Sequence, residues 1–483
     1  MSILKKFFKD TVIYGIASIT PRLVSFVLVP IHTSSLNTAL YSINTNYYVY
    51  AVFLNALLTM GMETAFFRFF SSEKEPKNVL STSFLLLCFS SVLFLGLGLI
   101  FEQKLSEFFG FGDSFIIRLL VLTIFFDTLV VIPFAYLRAT GKSMVFAGFK
   151  ILSVLITLIL NIYLLIILPQ SGNSLRLFSG IFNSVAEVTD IFVANAFASF
   201  IILIAFIPFI KNINISIDKG LLKKMVAYGF PIMVAGLAYA INENLDKLFI
   251  SRILGDDVNG MYAGCYKLGV FMSLYVMAFR LGAEPFFFNL YGTDGAERIY
   301  SKILTWFVIF ASLCMVVVTL FIDVFADILL KQNSYKQALD IVPFILLANI
   351  FLGIYNNLSI WYKLKDKTRV GMFISVVGAV ITILMLTFTV PVFGYIGAAY
   401  TTLVVYAGMA ISSFFMGKRY YPIPYDTGKI SLLLLSASII SFTSFHFFRG
   451  HHTTNFLLLC GFIVIVLWSE KDIFLKRVDI AHK

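Results

Sequence analysis

Long apolar runs follow one another from end to end of this sequence, and few charges interrupt them. Residues 83–100 and 151–168 carry no charged side chain at all. A helix that crosses the hydrocarbon core of a bilayer needs about 20 such residues. Fourteen segments meet that requirement: 11–34, 42–62, 79–101, 115–137, 144–168, 188–210, 222–250, 260–285, 302–323, 339–362, 369–390, 393–416, 429–447 and 454–469. The runs do not alternate with period two, so helices and not a membrane β-barrel are expected. Composition agrees: charged residues are 13% of the chain, about half of what a soluble domain carries. The fold expected is therefore an all-α polytopic membrane protein of about 14 spans.

An even number of spans puts both termini on one side, and the Lys and Arg between spans choose it. On the terminal side stand 25 of them, including Lys5, Lys6 and Lys9, Arg138 and Lys142, Lys219, Lys223 and Lys224, Lys363 to Arg369, and Lys418 and Arg419. The opposite side has seven: Lys104, Arg118, Arg176, Arg252, Lys331, Lys336 and Arg449. By the positive-inside rule both termini are cytoplasmic. The formal charge of +11 is thus mainly an orientation signal, and nucleic acid is not expected as a partner.

Weak internal similarity divides the chain in two. Tyr14-Gly15 recurs as Tyr228-Gly229, and the turn from Leu137-Arg138 to Gly141-Lys142-Ser143 resembles that from Tyr362-Lys363 to Asp366-Lys367-Thr368. Six spans separate the members of each pair, so the halves share an orientation, as in transporters built from parallel repeats. The division expected is 1–215 and 216–425 as two six-helix bundles in pseudo-twofold repeat, with two further helices in 426–483. The cysteines, Cys88, Cys265, Cys314 and Cys460, lie in or beside apolar runs and read as small hydrophobes, without disulfide or metal spacing. The first run holds Pro21 and Arg22 and lacks a small-residue cleavage site, so it reads as a retained helix.

Five cations remain inside the runs: Arg22, Lys150, Lys247, Lys267 and Arg280. Each costs on the order of 2.5–3.5 kcal/mol to insert, so each is expected to face a partner or a wet cavity. Arg22 and Asp127 lie near mid-depth; they form either a structural pair or, for Arg22, a lumenal cation. Glu243, Asp246 and Lys247 sit three to four residues apart near a helix end and read as a charged rim with local pairing. Lys267 and Arg280, ~20 Å apart along one helix, either snorkel to the interfaces or line the lumen. A lumen lined by Arg22, Lys150, Lys267 and Arg280 would be positive through both leaflets and would suit a phosphate-bearing substrate. Asp127, Glu187, Asp190, Glu243 and Asp246 are candidates for binding H⁺ or Na⁺, or for structural pairing; no other cofactor and no metal is indicated. Tyr355, Asn356 and Asn357 offer weak sugar-binding potential.

There is no Walker motif, GxSxG or HExxH, and no histidine deep in a span, so a transporter is expected and not an enzyme. Two readings compete with the main one: a drug or organic-cation antiporter, which should line its cavity with unpaired acids, and a membrane glycan polymerase, ligase or acyltransferase, which should have a large outer loop or a buried histidine.

Several ordered segments carry a resemblance. Residues 228–231 (Tyr-Gly-Phe-Pro), 246–250 (Asp-Lys-Leu-Phe-Ile), 266–267 (Tyr-Lys) and 278–280 (Ala-Phe-Arg) are similar to Wzx-type polysaccharide flippases. So are 61–69 (Gly-Met-Glu-Thr-Ala-Phe-Phe-Arg-Phe), 283–288 (Ala-Glu-Pro-Phe-Phe-Phe), 394–399 (Gly-Tyr-Ile-Gly-Ala-Ala) and 420–426 (Tyr-Tyr-Pro-Ile-Pro-Tyr-Asp). These are oligosaccharide-lipid transporters of the multidrug/oligosaccharidyl-lipid/polysaccharide (MOP) exporter superfamily. The resemblance implies a monomer in the bacterial inner membrane. It implies movement of undecaprenyl-diphosphate-linked oligosaccharide between leaflets by alternating access, beside a glycan polymerase and other assembly proteins. Arg22, Lys247, Lys267 and Arg280 carry over as substrate-contacting or gating positions. His32 and Ser42 depart from the aromatic and glycine usual there, and Leu386 or Thr387 from an asparagine.

Overall fold

The computed structural model describes residues 3–73, 75–170, 186–211, 213–365 and 367–470, with the side chains of 3–18, 170, 186, 187, 285 and 289 left aside. Lys74, Arg176, Asp366 and the tail cations from Lys471 onward therefore lie outside the described residues, as do the side chains of Lys5, Lys6, Lys9, Tyr14, Gly15 and Glu187.

In chain order the helices are α1 (Ile3–Ser35), α2 (Thr38–Thr59), α3 (Met62–Ser72), α4 (Pro76–Ile100), α5 (Glu102–Phe109), α6 (Ser114–Ala139), α7 (Ser143–Ile162), α8 (Leu168–Gln170), α9 (Ala186–Ile210) and α10 (Lys219–Leu254). They continue with α11 (Asp256–Leu290), α12 (Ala296–Leu320), α13 (Ile322–Leu329), α14 (Val342–Leu358), α15 (Ile360–Leu364), α16 (Thr368–Phe393), α17 (Tyr395–Tyr420), α18 (Thr427–Phe447) and α19 (His452–Ser469). No strand occurs among the described residues. Among the described residues thirteen helical stretches are long and apolar enough to cross a membrane, and α1 covers the remaining apolar run. This is a multi-pass membrane protein.

Local chemistry sets the ends. Asn37 and Asp113 cap α2 and α6 by accepting from the backbone amides of Leu40 and Phe115, each at 2.9 Å, and Pro76 and Pro343 sit in the first turns of α4 and α14, where a missing N–H costs nothing. Many buried hydroxyls bond within their own helices, as with Ser83 to the Val79 carbonyl and Thr128 to the Ile124 carbonyl, both 2.7 Å. Such back-bonding is what a hydroxyl needs where lipid offers no partner. Outward-facing residues such as Phe89, Ile100, Phe388 and Val392, all above 70% exposed, have lipid as their natural surroundings.

Contacts divide the chain into two compact units, Met1–Ser251 and Arg252–Lys483. In the first, α6 is the hub, packed against α2, α3, α4, α7 and α9, while α1 lies against α7. Most of α10 belongs here because it is held near both ends. Leu221 and Met225 join the cluster of Met62, Phe66, Val79 and Ile132, and Ser251 accepts a hydrogen bond from Asn46 Nδ2 at 2.9 Å. In the second unit α14 is the hub, against α11, α12 and α17. Gly353 permits this: a Cβ there would lie 2.1 Å from Phe307 Cζ of α12. The last pair is fastened by Asn455, whose amide donates to the Leu320 carbonyl at 2.8 Å while its oxygen accepts from Ser444.

Candidate functional site

Within the first unit, α2, α3, α6, α7 and α9 enclose a cavity of about 850 Å³. Its deep end is polar but largely uncharged. Tyr47 stacks on Phe192 with centroids 3.9 Å apart and shares a 3.1 Å hydrogen bond with Thr123, and Asn195 donates to the Tyr48 hydroxyl at 2.5 Å. Asp127 lines the cavity together with Ser199. At the other end Arg138 and Glu63 pair at 2.8 Å, about 16 Å along α6 from Asp127. Lys150 of α7 stands between these groups, and the charges that act on it are Asp127, Glu63 and Arg138. Among the described residues it has no carboxylate within ion-pair distance; its ammonium lies 4.3 Å from the Phe134 ring centroid. Besides the Arg138–Glu63 pair, the cavity thus offers one cation and one carboxylate that face each other beyond ion-pair distance, Lys150 and Asp127, and a set of hydroxyl and amide groups.

The pair Arg22–Asp127 is not formed. α1 packs on α7, and it is α7 and α9 that meet α6, so Lys150 and Ser199 face Asp127 in place of Arg22. Arg22 is exposed, next to Pro21, which does reach the cavity wall. The charged-rim reading of α10 is also corrected. Asp246 and Lys247 are buried, at 4% and 6% exposure. The Lys247 ammonium donates to both Asp246 oxygens, at 2.8 and 3.1 Å, and to the Glu243 carbonyl at 3.0 Å. A lysine stem long enough to fold back one turn makes this possible although adjacent side chains leave the helix in different directions. Glu243 itself is half-buried.

In the second unit Lys267 is half-buried and Arg280 exposed, on one helix. Arg280 Nε lies 3.5 Å from Glu284, whose carboxylate also accepts from Lys363 Nζ of α15 at 2.8 Å. These three residues, with Asn356, Asn357 and Ser359, line a narrow cleft.

Sequence reasoning missed the Glu63–Arg138 and Glu284–Lys363 pairs, together with the roles of Tyr47, Tyr48, Asn195 and Ser199 in the cavity wall. Arg138 and Lys363 were legible only as orientation charges, and no spacing rule joins residues 75 or 79 positions apart.

Comparison with known proteins gives a consistent picture. The family model described as "Polysaccharide biosynthesis protein" matches residues 7–288, and the MatE model matches residues 231–389. No curated protein matches the chain by sequence. Among solved structures, the fold is similar to the lipid II flippase MurJ in an inward closed conformation, with a TM-score of 0.72 and 14% identity, covering 96% of this chain and 100% of that one. It is similar also to an inward-facing multidrug resistance MATE family transporter of the MOP superfamily, with a TM-score of 0.64 and 14% identity over 86% and 95% of the two chains. A mutant of the Vibrio cholerae MATE transporter VcmN gives a TM-score of 0.58 and 15% identity over 86% and 96%. At these identities the likeness is one of fold.

Proposed function

The chain belongs to the polysaccharide biosynthesis protein family, and we propose that it is a flippase carrying undecaprenyl-diphosphate-linked oligosaccharide across the bacterial inner membrane for surface polysaccharide assembly. The observation that carries this reading is Lys150, a cation without a direct ion pair among the described residues, in a cavity of about 850 Å³ among apolar helices, ringed by hydroxyl and amide groups. A cation among apolar helices whose facing carboxylate, Asp127, lies beyond ion-pair distance keeps its donors open to an incoming anion, and a phosphate takes them by charge-assisted hydrogen bonds.

On this reading Arg22, Lys150, Lys247, Lys267 and Arg280 serve the diphosphate at successive stages, while hydroxyl and amide groups serve the sugars. Two helix bundles rock about the path, and the lipid tail stays in the bilayer. Asp127, Glu243 and Asp246 are the places for a coupling H⁺ or Na⁺. Asp246 would hold Lys247 when ionised and release it when neutralised, which ties substrate handling to ion binding. The termini lie in the cytoplasm, and a glycan polymerase receives the product. The test is a cell whose own copy is deleted. Lys150→Ala is expected to leave lipid-linked intermediates on the cytoplasmic side and to lower surface polysaccharide; a normal polysaccharide level at normal protein abundance would remove Lys150 from the path.

A second reading, export of drugs, draws on the MatE match over residues 231–389. It predicts drug hypersensitivity on deletion with surface polysaccharide unchanged, the reverse of the first.

A further inference from the structure

Arg280 of α11 and Lys363 of α15 converge on a single carboxylate, Glu284, one turn beyond Arg280. The two contacts are unequal. Lys363 Nζ donates at 2.8 Å, whereas Arg280 Nε is at 3.5 Å, the limit of a hydrogen bond, with its side chain 53% exposed. With Glu284 turned inward, the cleft keeps a free volume of about 10 Å³, about that of one water. Its wall bears a second, independent feature. Asn357 is buried, and its Nδ2 donates to the Gly353 carbonyl at 3.1 Å, which fixes the amide; its Oδ1 is left buried without a donor. A buried acceptor of this kind calls for a donor from a ligand or a water.

These features fit one ligand. Two cations match the two negative charges of a diphosphate diester, and the orphaned acceptor matches a hydroxyl of the first sugar. The carboxylate occupies the place that a phosphate oxygen would take, since Arg and Lys bind both as charge-assisted acceptors. Resting on the flippase reading above, we propose that Glu284 is a built-in displaceable counter-ion: it neutralises Arg280 and Lys363 while the cleft is empty and swings out when a glycosyl diphosphate enters. The exchange keeps both cations paired before and after, so neither is stranded near the bilayer. It also keeps binding moderate, because the returning carboxylate competes the headgroup off again, as passage to the other leaflet requires.

The full chain in lipid nanodiscs allows the test, with binding of farnesyl diphosphoryl N-acetylglucosamine and of inorganic pyrophosphate measured by titration. Glu284→Gln, which keeps size and removes charge, is expected to tighten the glycosyl diphosphate about fivefold, the scale of a partly exposed ion pair. Lys363→Gln is expected to weaken it by a similar factor, and the double variant to gain nothing over Lys363→Gln. A gain with pyrophosphate as well assigns the cleft to the diphosphate group itself; a gain with the lipid alone assigns it to a lipid headgroup. Unchanged or weaker binding of both probes by a Glu284→Gln protein that melts normally overturns the proposal, and so does a variant that melts early and binds weakly while Lys363→Gln binds normally. The flippase reading is judged separately, by accumulation of lipid-linked oligosaccharide on deletion. A chain that passes that test and fails this one loses only the counter-ion.

Discussion

Lys150 and Lys247 show two ways of keeping a cation among apolar helices, and they predict opposite mutational outcomes. Lys247 is enclosed by the two Asp246 oxygens and the Glu243 carbonyl, all within 3.1 Å. Lys247→Met takes the buried cation away from a buried carboxylate and is expected to cost about 3–5 kcal/mol, whereas adding Asp246→Asn removes the carboxylate's charge as well and restores much of that loss. Thermal unfolding in detergent reads both; a Lys247→Met chain as stable as the parent would refute the buried pair. Lys150 has no direct ion pair among the described residues and its ammonium lies 4.3 Å from the Phe134 ring centroid, so Lys150→Met is expected to melt within about 1 kcal/mol of the parent while lipid-linked intermediates accumulate. At this scale the sequence was partly readable. Insertion cost alone singled out both lysines and Asp127, because a charge in an apolar run stands out whatever the fold. Placement across helices was not readable: Asp127 shares its cavity with Ser199 and Lys150 through the packing of α6 with α7 and α9, and hydropathy carries no information on which helix lies beside which.

The break between α2 and α3 is the clearest case at the scale of elements. The apolar pattern predicts one span over 42–62, yet the helix begins at Thr38 and, after Met60 and Gly61 at φ 49° and 67°, runs on to Ser72. A two-residue left-handed turn leaves no mark in hydropathy, and Arg68 made the continuation look like a connection, although its guanidinium is 4.4 Å from the Tyr228 ring centroid. The turn is fitted to α10 backbone against backbone. A Cβ on Gly61 would lie 2.4 Å from the Gly229 carbonyl oxygen, and one on Gly229 would lie 2.5 Å from that of Met60. Backbone cannot step aside as a side chain can, so Gly229→Ala is expected to cost about 1–3 kcal/mol. Gly96→Ala, where nothing lies within 4 Å of the added carbon, is the control and should be neutral or slightly stabilising. Equal melting temperatures for the two variants would refute the close fit. The short helices α5 and α13 were missed because eight residues are too few to register as a span. Each follows a long helix after a phenylalanine, Phe101 or Phe321, and each is anchored by an acid in its first turn: Glu102 to Arg118 at 2.6 Å and Asp323 to Arg449 at 2.7 Å.

At the scale of the whole molecule the question is which way the chain faces, and α5 and α13 bear on it. Starting from a cytoplasmic N-terminus and crossing at α1, at α2 with α3, and at α4, the chain reaches α5 outside; the same alternation through α12 puts α13 outside as well. Both short helices then lie where Lys and Arg are few, with Lys104 on α5 and Lys331 just after α13, while Lys223 on α10 and Lys418 on α17 lie on the cation-rich face. All four side chains are exposed, so each position can report its side. In a chain whose four native cysteines are replaced, single cysteines at 104 and 331 are expected to react with a membrane-impermeant maleimide added to the outside of sealed spheroplasts. Cysteines at 223 and 418 are expected to react only after the membrane is permeabilised. The reverse pattern would invert every side assignment made from the charge count. It would also turn the Arg280–Glu284–Lys363 cleft, which the charge count puts on the cytoplasmic side, to the opposite face, and on the proposed flippase reading a site for loading a lipid diphosphate would there have no substrate to load.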